Sequence, residues 1–353
     1  MNNRMTVQNR GGDKYNYAVC LLRILACCMI VWNHLSGHML NGWGNPLSWA
    51  NIGVQIFFFM SGWLYSKQEI TNPTEWIRRN LEKIYIPYEL SLIMILPVIS
   101  YLTVGNVTTR KTIAAVLGMQ GFGFTIEGVG QHWFVSYIIL CYFITPTILY
   151  RLRCKFNRNG TWLWLGIFAI LVQIVTIPLA LVFNFKVSYI FGYIIGYIYG
   201  FRYNTDSSQE HEKKIINMFI ILVAFLGVGF RIYLTRYNYS GFMENVCDLL
   251  IQWIKVIQGC AIFIIFTAVV SSEMSAVSDS IKKYLKIVSN YTFEIYLVHE
   301  FFTMSMFTEL FHISFGLKVS VILISIAVAT ILLVMMEKVV TWIRYSSRKG
   351  RTK

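Results

Sequence analysis

Charge is scarce in this chain: Asp, Glu, Lys and Arg make up 14% of its 353 residues, acidic residues number 17, and there are 6 prolines. Against that stand 56% hydrophobic residues and a mean hydropathy of +0.54. This balance excludes a soluble domain, which at this size could not hide so much apolar surface. No nucleotide loop, dinucleotide fingerprint, zinc motif or serine-hydrolase elbow is present. Internal repeats, heptad arrays and low-complexity linkers are missing too. The seven cysteines, Cys20, Cys27, Cys28, Cys141, Cys154, Cys247 and Cys260, form no Cys-x-x-Cys pair and sit mainly in apolar runs. They read as structural thiols and not as a disulfide framework or a metal site.

What is present is a series of apolar runs. Ten of them, at roughly 17–37, 49–66, 84–104, 131–150, 161–180, 187–203, 214–234, 250–271, 288–308 and 316–341, approach the length needed to cross about 30 Å of hydrocarbon. The second and sixth are short or aromatic-rich, and the stretch 112–126, apolar but broken by glycine, reads as re-entrant or interfacial. The expected fold is therefore an all-α polytopic membrane protein of about ten helices, one membrane domain over 1–353 with no fused soluble domain. Residues 1–16 are polar and lack a small-residue cleavage site, so the first run reads as a retained anchor behind a cytosolic tail, and 342–353 as a basic cytosolic tail.

Basic residues set the orientation. With the amino terminus inside, only Arg110, Lys111, Lys186, Arg231, Arg236 and Lys318 fall in outer segments or at the outer ends of spans, Arg23 and Lys255 fall deeper within spans, and the other 23 of 31 face the cytosol. An even number of spans puts both termini there. The net charge of +14 is then mostly positive-inside bias, and nucleic-acid binding is not needed to explain it.

The first run carries an arginine and a histidine, in Leu22-Arg23-Ile24-Leu25-Ala26-Cys27-Cys28-Met29-Ile30-Val31-Trp32-Asn33-His34. An ionisable side chain at membrane depth costs roughly 2.5–3.5 kcal/mol even on lenient insertion scales, so it rarely persists without a use. Eleven residues turn a helix through about 1100°, some 20° past three full turns, which sets both side chains on one face about 16 Å apart.

Four motifs follow one another along the chain. They are the Arg23 to His34 interval; Gly53-Val54-Gln55-Ile56-Phe57-Phe58-Phe59-Met60-Ser61-Gly62-Trp63-Leu64; His132-Trp133-Phe134-Val135 leading to Tyr142 and Pro146; and Ser289-Asn290-Tyr291-Thr292-Phe293-Glu294-Ile295-Tyr296-Leu297-Val298-His299. In this order the chain resembles the membrane-bound acyltransferase-3 family, which acylates cell-surface glycans and related acceptors. Cys20 stands where that family often has an acidic residue, so a partner for Arg23 would come from another helix, with Glu89, Glu294 and Glu300 as candidates. The family's arginine pair before the third helix appears here in a different spacing, as Arg78, Arg79 and Lys83. Many relatives also carry a hydrolase-like domain; a chain without one would act alone or with a separate glycan-assembly partner.

The resemblance implies transfer of an acyl group, commonly acetyl, from cytosolic acetyl-CoA to a hydroxyl of an extracytoplasmic or lipid-linked polysaccharide at the bacterial cytoplasmic membrane, with no permanently bound cofactor and no metal. Such chemistry needs cations for the donor phosphates, a base for the acceptor hydroxyl and donors for the developing oxyanion. His34 is the candidate base or transient acyl carrier, against a histidine merely bonded between helices. Arg23 is the candidate for donor phosphate or thioester oxygen, against a structural ion pair. Arg78, Arg79 and Lys83 read as a donor-phosphate site or as a topology signal that meets anionic lipid headgroups.

The acceptor side offers His38, Trp133, His299 and Glu300. His38 lies one turn beyond His34 and is otherwise a solvated interfacial histidine. Trp133, with His132, is otherwise an interfacial aromatic anchor. His299, Glu294 and Glu300 form a second polar cluster at membrane depth, in which Tyr296 and Glu300, four apart, share a face. A structural network holding that helix is the competing reading. Ser61 and Gly62 read as close helix packing, and Lys255 as a snorkelling or paired lysine. Two other function classes remain: a transporter or flippase, which would show matching interrupted helices, and a non-catalytic subunit, which has no need of Arg23 and His34 on one face.

Overall fold

The computed structural model describes residues 17–39, 51–102, 107–155, 158–183, 188–203, 210–236, 239–273, 276–304 and 314–350. Among them every regular element is helical. In chain order these are α1 (Tyr17–Met39), α2 (Gly53–Tyr65), α3 (Pro73–Leu102), α4 (Thr109–Val116), α5 (Trp133–Ile144), α6 (Tyr150–Lys155), α7 (Arg158–Phe183), α8 (Ser188–Tyr203), α9 (Glu210–Arg236), α10 (Phe242–Glu273), α11 (Asp279–Asn290), α12 (Thr292–Thr303) and α13 (Phe315–Gly350). Among the described residues six segments are long and apolar enough to cross a membrane: Tyr17–Ser36, Pro73–Leu102, Gly130–Lys155, Glu210–Arg236, Phe242–Val270 and Phe315–Arg344. The protein is a multi-pass, all-helical membrane protein.

Each of the other four apolar runs also lies on helix, but among the described residues none meets that test. In α7 the apolar stretch is Leu163–Val175; α2 has 13 residues, α8 has 16 and α12 has 12. At 1.5 Å per residue a 12-residue helix covers only about 18 Å. The run 288–308 is divided in the structure, because Tyr291 separates α11 from α12 and the chain turns extended at Met304. At the other extreme α13 continues as helix to Gly350, through most of the expected basic tail.

Contacts sort the described residues into two compact units, the first drawn from Met1–Ile30, Trp49–Arg78 and Tyr137–Ser289, the second from Val31–Ser48, Arg79–Ser136 and Asn290–Lys353. The core of the first is built on α1, α2 and α10, where Leu22, Ala26, Ile56, Phe59, Met60, Val256 and Phe263 are buried together. The Phe59 and Phe263 rings lie 5.0 Å apart. Helix α2 packs on α8 through glycine. A methyl group on Gly62 would strike the Tyr193 carbonyl, and one on Gly196 the Phe59 carbonyl. Backbones that approach this closely gain dispersion contacts that hydrocarbon solvent would otherwise supply, which is the membrane version of a packing drive. The packing reading of Gly62 is what the structure shows.

Two devices fix the ends of these helices. Pro146 has no N–H to give the ladder, and the chain forms one π-turn over Thr145–Leu149 between α5 and α6. There the Thr145 hydroxyl donates to the Cys141 carbonyl at 2.7 Å and lies 2.6 Å from the Tyr193 hydroxyl. Beyond α2, Arg153 donates to the carbonyls of Ser66 and Gln68 at 2.8 and 3.1 Å and pairs with Glu69. A guanidinium there meets orphan carbonyls and the negative end of the helix dipole together. The seven cysteines are free thiols.

In the second unit α12 packs on α13, and a short 3-10 turn, Gly130–His132, leads into α5 and rests against α12. This turn and α12 position the polar groups that follow.

Candidate active site

Helix α12 presents Tyr296, His299, Glu300 and Thr303 at helical spacing, so one stripe of the helix is polar. Tyr296, His299 and Thr303 are buried. The stripe meets the 3-10 turn ahead of α5. The Tyr296 hydroxyl donates to the Gln131 carbonyl at 2.7 Å, and the Glu300 carboxylate accepts the Gln131 N–H. Tyr296 and Glu300 therefore hold one residue by its two backbone groups, which is the pairing that their four-residue spacing anticipated. The first N–H groups of a helical segment have no partner within it, and a carboxylate placed there satisfies one of them and suits the helix dipole.

The turn answers with its side chains. Gln131 donates from Nε2 to the Leu297 carbonyl at 2.8 Å, and His132 places its Nε2 2.9 Å from the same oxygen. His132 is fully buried. A carbonyl oxygen only accepts, so the His132 proton is on Nε2 and, in the neutral ring, Nδ1 keeps its lone pair. Among the described residues that Nδ1 has no hydrogen-bond partner. The reading of His132 as an interfacial anchor is corrected here: the ring is sealed against α12 and does not face a membrane surface. Trp133 beside it is half-buried at the start of α5.

His299 repeats the pattern. It is fully buried, its Nδ1 donates to the Tyr296 carbonyl at 2.7 Å, and its Nε2 keeps a lone pair without a partner among the described residues. Against this ring lies His34 of α1, half-buried, with the ring centroids 5.0 Å apart and the planes crossed at 74°. The structure thus brings His34 and His299 together, with Glu300 the next residue of α12 and with Gln131 and His132 bonded to other residues of that helix. A neutral imidazole with a fixed proton and a free lone pair is the form in which histidine accepts a proton from a hydroxyl.

The remaining expected residues are placed as follows. Arg23 is half-buried on the same unbroken helix as His34, eleven residues earlier, and stands in electrostatic range of the Tyr65 hydroxyl. His38 lies in α1, and its side chain falls outside the described residues. On α3, Arg78 is exposed and paired with Glu75 at 2.8 Å, while Arg79 and Lys83 are exposed four residues apart. Glu294 is buried on α12. Lys255 is half-buried on α10. Sequence reasoning did not single out Gln131, because one glutamine before an apolar run carries no signal until α12 is folded against it.

A family model described as an acyltransferase domain, acyltransferase-3, matches residues 16–336. No curated protein and no solved structure matches the chain.

Proposed function

Because the chain belongs to the acyltransferase-3 family of acyltransferase domains, we propose that this membrane acyltransferase is an O-acetyltransferase of the bacterial cytoplasmic membrane. In this reading it moves acetyl from cytosolic acetyl-CoA to a hydroxyl of an extracytoplasmic or lipid-linked polysaccharide. The observation that carries the reading is the contact of His34 with His299, two imidazoles at 5.0 Å in a unit where His299 Nε2 lacks a partner among the described residues.

His34 takes the proton of the acceptor hydroxyl as its oxygen attacks the thioester carbonyl; the C–S bond breaks, and the imidazolium returns the proton to the leaving thiolate. His299, edge-on to His34 with its proton committed to Tyr296, supplies a second acceptor beside that proton. Arg23, three turns nearer the amino terminus of α1, takes the donor's phosphate or thioester oxygen. Arg79 and Lys83, exposed on one face of α3, and Arg78 one residue away extend the positive charge for the donor nucleotide. Trp133, Glu300 and His38 belong to the acceptor side, Glu300 by holding the turn that carries His132.

The test is the acetyl content of the host's surface polysaccharide by proton NMR, in a strain lacking the protein and complemented with wild type or His34→Ala at matched membrane abundance. Loss of the acetyl signal, restored by wild type alone, supports the reading. An unchanged acyl pattern in the deletion strain removes the acetyltransferase assignment, and full restoration by His34→Ala removes His34 from the chemistry.

A further inference from the structure

Helix α11 is too short and too charged to cross a membrane, yet it is strongly two-sided. Its 12 residues rise about 18 Å, and Asp279, Lys282, Lys283 and Lys286 fall among them. At about 100° per residue Ile281, Tyr284, Leu285 and Val288 share about 100° of arc, and the three lysines share a similar arc on the other side. The helix is seated on the protein by one edge between these faces, where Leu285 and Lys282 are half-buried and Ser289 is buried. The rest of both faces is open. Ile281, Tyr284 and Val288 are exposed, Tyr284 by 68%, and so are Lys283 and Lys286. Ile287 is exposed as well, to the side of the stripe.

An exposed apolar stripe calls for a cover, and the chain limits what that cover is. The spanning segment of α10 ends at Val270, and α10 itself at Glu273. The short connection from there to Asp279 reaches about 20 Å at full stretch. Helix α11 is therefore held beside the end of a membrane-spanning helix, where hydrocarbon gives way to headgroups. An amphipathic helix in that place lies along the surface, its apolar face sunk about 5–10 Å and its lysines level with the lipid phosphates. The charges agree with this. Asp279 is the one acid of the helix and pairs with Lys282 at 3.5 Å, while three lysines stand against it, so the polar face is net positive. Tyr284, in the middle of the stripe, has the apolar ring and polar tip that favour a membrane interface.

We propose that α11 is an interfacial anchor that docks on anionic lipid. Ile281, Tyr284 and Val288 enter the acyl region, and Lys283 and Lys286 bind phosphate headgroups. In the orientation that the basic residues favour, the lipid is that of the cytosolic leaflet. The anchor is independent of the acyl-transfer chemistry, and it gives the stretch between α10 and α12 a purpose of its own.

The full chain is followed by hydrogen–deuterium exchange in lipid nanodiscs of phosphatidylcholine alone, or of phosphatidylcholine and phosphatidylglycerol in equal parts. Exchange of the amides of α11 should be slower in the anionic discs, and high salt should remove the difference. Lys283→Gln combined with Lys286→Gln should speed exchange in the anionic discs about 25-fold, about five-fold for each lysine, and leave it unchanged in neutral discs. Lys283→Arg combined with Lys286→Arg keeps the charge and should behave as wild type. Wild-type exchange that ignores lipid charge, glutamine variants that keep the difference, or arginine variants that lose it each overturn the anchor. The apolar face is read separately, with Tyr284 replaced by the photoreactive p-benzoylphenylalanine in the host membrane. A phospholipid adduct is expected on illumination. Crosslinks confined to protein, whether to this chain, a second copy or another protein, would make the stripe a protein interface and overturn the lipid assignment.

Discussion

Replacing His299 by phenylalanine separates a structural histidine from a chemical one. The aromatic ring remains, so the edge-on contact with His34 and the packing of α12 are kept. What disappears is the 2.7 Å bond from Nδ1 to the Tyr296 carbonyl and the lone pair on Nε2. Losing one neutral hydrogen bond costs about 0.5–1.5 kcal/mol, whereas removing a buried, unsatisfied polar atom relieves about 1–3 kcal/mol. The two terms oppose each other, so the variant should fold and insert, with a stability between about 0.5 kcal/mol below and about 2.5 kcal/mol above wild type. If Nε2 takes part in proton transfer, acyl transfer should fall by about 10²–10⁴. The assay pairs acetyl content of the surface polysaccharide with intrinsic-fluorescence melting of the purified protein at matched membrane abundance. Wild-type acetylation by His299→Phe would refute the argument. So would loss of acetylation that simply follows a collapse in abundance, since it would assign the histidine to the fold.

Two further substitutions test the framework around the site. Gly196→Ala puts a methyl group into the Phe59 carbonyl; backbone cannot swing aside as a side chain can, so a loss of about 1–3 kcal/mol is expected in the melting of the solubilised protein, and an unchanged melting temperature would mean that α2 and α8 do not pack this closely. Gly130→Ala brings its new carbon to 2.9 Å from Glu300 Oε1, which presses on the carboxylate that accepts the Gln131 N–H; weakening a hydrogen bond to a charged group risks part of about 1.5–3 kcal/mol, and acyl transfer should drop more than thermal stability does. Equal proportional losses of both would show that the turn serves folding alone.

Much of the protein is written in local chemistry. Length and apolarity place Tyr17–Ser36, Gly130–Lys155 and Phe315–Arg344 as candidate spans without any knowledge of their neighbours, because the bilayer sets a length that composition alone can meet. The same economy flags Arg23 and His34, whose cost at membrane depth demands a reason, and pairs Tyr296 with Glu300 on one face of a helix. Helix ends were less legible. The break at Tyr291 and the run of α13 to Gly350 depend on contacts that hydropathy does not register, and among the described residues six of the ten apolar runs meet the length and hydropathy of a span.

Burial and partnership came only with the tertiary structure. His132 and Trp133 are neighbours in an aromatic, amphipathic stretch, yet one is sealed against the Leu297 carbonyl and the other half-exposed, a difference of direction that composition cannot carry. His34 and His299 are separated by most of the chain and meet at 5.0 Å. The stretch 112–126 is a glycine-broken apolar run until Tyr85, Tyr88 and Ser136 bond its backbone. The sequence by itself determined that this chain enters a membrane and that a few ionisable groups go with it, because transfer free energy is a sum over residues. Which of those groups share a site, and which polar atoms stay open there, was decided by packing, because a hydrogen bond belongs to two groups and the fold alone brings them together.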